Sequence, residues 1–200
     1  MPAQPVSKAA RTRKALLQKA FELIYAKGYQ ATSIDEILAT TEVTKGAFFY
    51  HFRNKEKMGL AMISEIMQPD MRSVMILPLQ QSEEPIKSIY LMMETILMKH
   101  PLFRVQYGCP AVNLIEEMAP VNEAFRCLLA ELVLEWQKAI AACIQKGKKR
   151  RQIRHDVSPK GVACFITSGY SGIRNLGKLA GRSSYKTYLA ELKRYLEGLG

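Results

Sequence analysis

One short segment of the chain carries side chains suited to binding a phosphate backbone. Lys45, Tyr50, His51 and Lys55 lie in a stretch that contains no acidic residue. Ammonium, hydroxyl and imidazole groups hydrogen-bond phosphate oxygens, and a small residue such as Gly46 lets a helix backbone approach the edges of bases. The chemistry that these residue types predict is therefore recognition of DNA.

A short helix before this segment helps to position it. Thr32 or Ser33 is predicted to cap that helix, and Asp35 and Glu36 place carboxylates in its first turn, where they suit the positive end of the helix dipole. We expect the helix to end near Thr40, before a polar turn. Its buried stripe comprises Ile34, Ile37 and Leu38.

A second short helix is predicted to begin at Thr44 and to carry the phosphate-binding side chains. Phe48 and Phe52 are four residues apart and face the first helix, which leaves the opposite face for DNA. Two short helices with a polar turn also occur as a hairpin packed inside an enzyme, so that alternative stays open at this point. The residues predicted to bind DNA are Thr32, Ser33, Thr44, Lys45, Gly46, Ala47, Phe49, Tyr50, His51 and Lys55.

The overall charge agrees with a polyanionic partner. The chain of 200 residues has a formal net charge of +11, which bears on association rather than on fold. A second basic run, 146–154, holds six Lys or Arg residues and no acidic one. We interpret it as the carboxyl end of a long helix followed by an exposed loop, because cations suit that end of the helix dipole. Attraction to DNA or to a protein partner is the alternative.

Several other kinds of site are not predicted. Residues 1–15 lack the apolar core of a secretion signal, and no apolar run is long enough to span a membrane, so we expect a cytoplasmic protein. The cysteines and histidines lack metal-ligand spacing, and we expect neither a metal nor a cofactor. We interpret most of the cysteines as small core residues; they are Cys109, Cys127, Cys143 and Cys164.

Apolar residues recur at helical spacing through the rest of the chain. A first helix that ends near Gly28 completes a three-helix domain over residues 1–53. Asn54 is predicted to cap a connecting helix that Pro78 stops, and further helices follow to the carboxyl terminus. The prediction is an all-α protein of about nine helices, divided into domains 1–53 and 54–200.

The second short helix and its flanks resemble the signature of the TetR family of bacterial transcriptional regulators. From Thr44 to Glu56 the chain has a hydroxyl residue, a glycine, an aromatic pair, His-Phe and a Lys-Glu pair in the register of that family. Glu42 departs from the pattern, since the family usually has glycine in this turn. A left-handed turn without glycine costs roughly 1 kcal/mol, so we expect the turn to be recast.

The resemblance implies a homodimer on a double-stranded DNA operator. In TetR-like proteins the last two helices pair with their copies, which holds two reading heads about one DNA turn apart. Small residues at 169, 172 and 177 would permit close helix approach, and completion of the monomer core is the alternative. The two apolar stripes suited to this role comprise Val162, Phe165, Ile166, Gly169, Tyr170 and Ile173, then Tyr185, Tyr188, Leu189, Leu192, Tyr195, Leu196 and Leu199.

The resemblance also implies a sensor for a small-molecule inducer among the middle helices. Occupancy of that sensor tilts the connecting helix in such proteins and changes the separation of the reading heads. Methionine and aromatic side chains suit an adaptable apolar cavity, although the same residues also serve as ordinary core. The residues predicted to bind the ligand are Met93, Phe103, Tyr107, Cys109, Asn113, Trp136 and Tyr170.

Cys109 begins the short middle segment of the chain, and a thiol near a helix N-terminus tends toward greater reactivity. The Gly-Cys pair at 108–109 also resembles one large subgroup of the family, some members of which respond to electrophiles through this cysteine. We favour the alternative, in which Cys109 is a small apolar residue against the pocket wall.

The sequence thus predicts an N-terminal three-helix DNA-binding domain with a helix-turn-helix, and a C-terminal helical domain for ligand binding and dimerisation. The expected function is that of a ligand-responsive transcriptional regulator, with repression favoured. The rivals are an all-helical enzyme and a protein-interaction module that does not bind DNA. The chain has no Gly-rich phosphate loop, GxSxG elbow or HExxH motif, which disfavours the enzyme.

Overall fold

The computed structural model describes residues 7–200, and within that range the chain forms nine helices and no strand. Two of these helices are built from α-helical segments joined or extended by wider π turns. The all-α prediction is confirmed. The helices are α1 (Lys8–Lys27), α2 (Ile34–Ala39), α3 (Lys45–His51), α4 (Lys55–Met62, Ile63–Met67, Gln68–Met71, Arg72–Ile76 and Leu77–Gln80), α5 (Pro85–Glu94 and Thr95–Lys99), α6 (Pro110–Met118), α7 (Glu123–Lys149), α8 (Pro159–Ala180) and α9 (Arg182–Glu197).

Helix α1 supplies the core of the N-terminal helices. The Ser7 hydroxyl accepts the Ala10 N–H at its start, and the chain leaves the helix at Gly28 with φ of +96°, a conformation that favours glycine. The predicted end of this helix is therefore correct. Its buried residues are Leu16, Leu17, Ala20, Phe21, Ile24 and Tyr25.

Helix α4 continues past Pro78, so the prediction that this proline stops the helix is wrong. The Leu77 N–H bonds to the Arg72 carbonyl, which closes a π turn immediately before the proline. Proline has no N–H and its ring crowds the carbonyl four residues earlier, and a widened turn relieves both problems. The same arrangement precedes Pro69, where the Gln68 N–H bonds to the Ile63 carbonyl.

Helix α5 ends at Lys99, and its end uses the same device. The His100 N–H closes the π turn on the Thr95 carbonyl at 2.9 Å, and Pro101 follows directly. Helix α7 runs through Gly147 to Lys149. A Cβ on Gly147 would lie 2.8 Å from Ile153 Cδ1, so this glycine makes room for packing instead of ending the helix.

Close packing between α8 and α9 explains two of their glycines. A Cβ on Gly169 would lie 2.5 Å from the Tyr188 hydroxyl, and one on Gly177 would overlap the Tyr185 ring. Gly172 differs, because nothing lies within 4 Å of the position of its Cβ. Only Gly172 of the three is thus left open to another molecule.

The described chain divides into two compact units. One comprises the chain up to Pro69 together with Asn113–Leu129, and the other comprises Asp70–Val112 and Ala130–Gly200. The first unit is larger than residues 1–53, because part of α4, most of α6 and the start of α7 pack with α1–α3. The functional boundary at residues 53 and 54 stays a prediction.

Candidate nucleic-acid interface and ligand site

Helix α3 presents an exposed face that suits a DNA groove. The Thr44 hydroxyl accepts the Ala47 N–H at 3.2 Å and starts the helix, while Phe48 is fully buried. The Phe48 ring packs against the Phe52 ring with centroids 5.6 Å apart. On the other side the Tyr50 side chain is 78% exposed. This face also carries Lys45 and Gly46, both exposed, and the half-exposed Phe49.

Helix α2 begins with a reciprocal cap. The Ser33 hydroxyl accepts the Glu36 N–H, and the Glu36 carboxylate accepts the Ser33 N–H at 2.7 Å. A hydrogen bond from Lys27, followed by the bonds to Ser33, lowers the pKa of Glu36 to about 2. The Ser33 side chain is exposed, but its hydroxyl already accepts the hydrogen bond that caps α2.

Thr32 does not reach the predicted interface. Its side chain is fully buried, and its hydroxyl donates to the Gly28 carbonyl at 2.7 Å. A buried hydroxyl with its own acceptor cannot also contact a phosphate, so the structure removes Thr32 from the set of DNA-facing residues. It fixes the turn between α1 and α2 instead.

The turn that contains Glu42 is built without a left-handed residue. Among the described residues, Arg151 is the one non-glycine residue with positive φ. The Thr41 hydroxyl donates to the Leu38 carbonyl and accepts the Val43 N–H at 3.3 Å, which caps the end of α2. The expected recasting of this turn is thus what the structure shows.

Two lysines of the candidate interface already have partners. Lys45 Nζ lies 3.0 Å from Asp35 Oδ1, and both side chains are largely exposed. An exposed pair of this kind contributes about 0–1 kcal/mol, so a phosphate can displace the carboxylate. Lys55 Nζ lies over the Tyr29 ring, 4.4 Å from its centroid, and donates to the Gln30 carbonyl at 3.3 Å. Burial lowers the pKa of Lys55.

A carboxylate far away in the sequence holds the same turn. Glu117, on α6, accepts the Tyr29 N–H at 2.8 Å and the Gln30 N–H at 2.6 Å. Burial first, and then the negative charges of Glu56 and Glu117, raise the pKa of Tyr29 to about 12. Sequence reasoning missed Glu117, because no local signal marks a contact across 88 residues.

Part of the predicted ligand site comes together in the second compact unit. The Trp136 and Tyr170 rings form an edge-on contact with centroids 5.2 Å apart. Trp136 is buried, and its Nε1 has no hydrogen-bond partner within residues 7–200. Met93 and Cys109 are also buried, and Tyr107 lies in a short 3₁₀ turn, Val105–Tyr107.

Sequence reasoning also missed the charged residue at the centre of this cluster. Arg174 is completely buried, and its guanidinium donates to the Gly108 carbonyl, next to Cys109. Its Cζ lies 5.0 Å from the centroid of the Phe103 ring and 5.7 Å from that of Tyr185. A buried cation on an apolar helix stripe carries no periodic signal of its own. Asn113 belongs to the other compact unit, and its role stays a prediction.

The cysteines divide evenly between core and surface. Cys109 and Cys143 are buried, whereas Cys127 and Cys164 are exposed. The expectation that most of the cysteines are core residues is therefore wrong for Cys127 and Cys164. Burial raises the pKa of Cys143 to about 11. Within residues 7–200 no group of three or more His, Cys, Asp or Glu side chains is placed to hold a metal ion.

The basic run 146–154 is the end of α7 and the loop after it, as predicted. Lys146 Nζ donates to the Ser82 carbonyl at 2.7 Å and also pairs with Glu83 at 3.0 Å. Lys148 donates to the Val157 carbonyl at 2.6 Å. These contacts tie neighbouring loops to the helix end.

Helix α8 leaves an apolar stripe exposed. Its Val162, Ile166 and Tyr170 are buried, but Leu176 is 57% exposed and Leu179 is 89% exposed. The same side carries the half-exposed Phe165 and the open Gly172. The stripe predicted for this helix therefore serves in part to complete the core of the chain.

Comparisons with known proteins agree with this arrangement. The family described as "Bacterial regulatory proteins, tetR family" matches residues 16–62, and "Tetracyclin repressor-like, C-terminal domain" matches residues 91–191. An uncharacterised HTH-type transcriptional regulator of Lactococcus lactis subsp. lactis is 35% identical over 130 residues, which span 65% of this chain and 66% of that protein.

A second relative and a solved structure extend the likeness along the chain. The HTH-type transcriptional repressor DhaR of Mycobacterium sp. (strain GP1) is 27% identical over 165 residues, covering 82% of this chain and 81% of its own. The crystal structure of a TetR-family regulator from Cytophaga hutchinsonii superposes with a TM-score of 0.87 over 98% of both chains, at 23% identity. Among the described residues, no helix has both the length and the apolar character needed to cross a membrane.

Proposed function

Because the chain belongs to the TetR family of transcriptional regulators, we propose that it is a dimeric repressor that a small-molecule inducer releases from its operator. The family consists of ligand-responsive DNA-binding regulators, so the enzyme alternative is not favoured. The observation that carries the proposal is the exposed face of α3, where Tyr50 and Gly46 stand clear of the fold. Because the proposed partner is operator DNA, we also propose that the protein is cytoplasmic.

We assign DNA recognition to α3 and the residues around it. The Tyr50 hydroxyl and His51 suit phosphate oxygens, whereas Lys45 and Ala47, in the first turn, suit base edges. Lys55 contributes through the turn at Tyr29, because its ammonium lies over that ring. Ser33, Thr44, Gly46 and Phe49 complete the proposed surface.

A gel-shift experiment tests this assignment. An operator is first selected from fragments of the genome that carries the gene, and its affinity is measured at several salt concentrations. Tyr50→Ala should weaken binding to all sequences, while Lys45→Ala should also relax sequence preference. Lys87→Ala, which removes an exposed lysine from α5, is the control. Unchanged affinity in both α3 variants would refute the placement of the recognition helix.

Dimerisation is assigned to the exposed stripe of α8 together with α9. Leu176 and Leu179 expose apolar surface, and Gly172 allows a second helix to approach closely. Leu176→Glu should convert a dimer to a monomer in analytical ultracentrifugation. Leu134→Glu is the matched control, because Leu134 is a leucine of similar exposure on α7. Two variants with the same sedimentation behaviour would contradict this interface.

The inducer is assigned to the cluster around Trp136, Tyr170 and Arg174. The buried Nε1–H of Trp136 has no acceptor within residues 7–200, and a buried donor without an acceptor costs free energy. An inducer with an oxygen acceptor therefore suits the cluster. Trp136 is the only tryptophan of the chain, and its fluorescence therefore reports this site alone. Titration of oxygen-bearing aromatic and short-chain compounds should change that fluorescence and release operator DNA over the same concentration range.

Cys109 is assigned a packing role, because it is buried. The alternative, sensing of electrophiles, is tested in a Cys127→Ser/Cys164→Ser background that lacks the two exposed thiols. If N-ethylmaleimide releases operator DNA from this protein but not from its Cys109→Ser derivative, the packing role is insufficient. Equal release from both proteins rules out sensing through Cys109.

A further inference from the structure

We propose that Arg13, on α1, is a positioning residue for operator recognition, which fixes the carboxyl end of α3 to α4 through Glu65. This inference rests on the proposed function, since it assumes that α3 reads DNA. Arg13 lies outside α3 and outside the residues predicted to bind DNA. Its guanidinium joins α1 to the end of α3 and to α4, 38 and 52 residues later in the chain.

Every nitrogen of the Arg13 guanidinium has a partner. Nε donates to Glu65 Oε2 at 3.1 Å and Nη2 donates to Glu65 Oε1 at 2.6 Å, which makes a two-pronged ion pair. Nη1 donates to the His51 carbonyl at 3.0 Å. The guanidinium also lies over the Phe52 ring, with Cζ 4.4 Å from its centroid.

These contacts meet at the last residue of the candidate recognition helix. His51 ends α3, and the last carbonyls of a helix have no partner inside it and carry its negative partial charge. A guanidinium is a planar fork, so its grip on Glu65 fixes the direction in which the third nitrogen points. The position of the α3 end therefore follows the position of Glu65.

Glu65 lies within the π turn Ile63–Met67 of α4. Because this segment belongs to the helix that follows α3 in the chain, a shift of α4 at Glu65 also moves the Arg13 fork. The fork then transmits the shift to His51. Arg13 thus gives α4 a second grip on α3 besides the covalent link through residues 52–54.

The rival explanation is that Arg13 binds a DNA phosphate itself, since its side chain is 32% exposed. The two roles predict opposite effects at Glu65. Glu65→Gln removes a negative charge near DNA, so electrostatics alone would leave operator affinity unchanged or raise it. If Glu65 positions α3 through Arg13, the same change should lower operator affinity.

The experiment measures operator affinity of the full-length protein as a function of salt. We expect Glu65→Gln and Arg13→Gln each to weaken operator binding about 5- to 20-fold. This is less than the full effect of a lost charge-assisted hydrogen bond, because the bond acts on DNA only through the position of α3. The double variant should be no weaker than the worse single variant, because both act on one unit. The salt dependence should not change, because no phosphate contact is lost.

Two further variants keep the result interpretable. Arg13→Lys retains the charge but loses the fork, so the positioning role predicts weaker binding whereas a phosphate contact predicts nearly full affinity. Glu22→Gln is the control, since Glu22 pairs with Lys19 on the same helix at 2.8 Å. Thermal unfolding followed by circular dichroism shows whether each variant is folded at the assay temperature.

The inference is overturned if Glu65→Gln binds the operator as tightly as the wild type or more tightly. It is also overturned if Arg13→Gln lowers the salt slope by about 1 while Arg13→Lys binds normally, because that pattern marks a phosphate contact. Both results presuppose a wild-type protein that binds its operator. Failure of the wild type to bind any fragment counts against the proposed function instead.

Discussion

Replacement of Glu117 by alanine tests the contact between α6 and the turn that follows α1. The Glu117 carboxylate accepts the N–H groups of Tyr29 and Gln30 at 2.8 and 2.6 Å. A hydrogen bond to a charged group contributes about 1.5–3 kcal/mol net when it is shielded from water. The Gln30 N–H is exposed and can bind water after the substitution, whereas the Tyr29 N–H is partly buried.

The bond to the Tyr29 N–H therefore dominates, and we expect Glu117→Ala to lower the free energy of unfolding by about 2 kcal/mol. Glu117→Gln keeps one acceptor oxygen and should lose about half as much, or roughly 1 kcal/mol. Lys55 donates to the Gln30 carbonyl. Because Lys55 belongs to the proposed DNA-binding surface, a less stable turn should also weaken operator binding.

Urea unfolding followed by circular dichroism measures the loss, at one protein concentration because the protein is proposed to be a dimer. Glu131→Ala, which removes an exposed carboxylate from α7, is the control and should change stability by less than about 0.5 kcal/mol. If Glu117→Ala were no more destabilising than the control, the two hydrogen bonds would not hold the turn. Equal losses in the alanine and glutamine variants would contradict the reasoning about the acceptor.

Three further predictions follow from local geometry. Gly177→Ala should lower the free energy of unfolding by about 1–3 kcal/mol, because its methyl group overlaps the Tyr185 ring, while Gly46→Ala should not lower it, because nothing lies within 4 Å of the position of the Gly46 Cβ. Thr44→Ala should cost about 1 kcal/mol and weaken operator binding, and Thr44→Ser should restore both, because a hydroxyl again accepts the Ala47 N–H. The pKa of Glu36 is lowered from 4.5 to about 2 in the folded state, so its contribution is complete above about pH 4.5 and is lost as the pH falls toward 2. A carbon-detected NMR titration of the Glu36 carboxyl checks this, and a midpoint near 4.5 would contradict the cap.

The elements of this fold were legible in the sequence because each has a local signal. The caps at Ser33, Thr44 and Asn54 and the C-terminal Gly28 are all observed where the residue types placed them. The sequence-based prediction failed where a preceding turn changed the effect of a residue on the helix. Pro78 lies in a helix because a π turn precedes it.

The candidate interface was predictable only on the exposed side of α3. Thr32 has a residue type suited to phosphate, but its hydroxyl is buried against Gly28. Arg13 and Glu117 act on this region from 38 residues before His51 and 87 residues after Gln30, so no short motif could include them. Arg174 was missed for the same reason, since its aromatic neighbours come from separate helices and a loop.

The π turn before Pro78 also bears on how the chain should be aligned with its relatives. Met71 and Leu79 are both buried although eight residues separate them, and in a regular α-helix that separation rotates the second side chain by about 80° from the first. The wider turn absorbs one residue, or about 100°, and brings Leu79 back to the side of Met71. A relative with a regular helix and no proline here needs one residue fewer, so a single-residue gap opposite Arg72–Ile76 is a mark of shared structure.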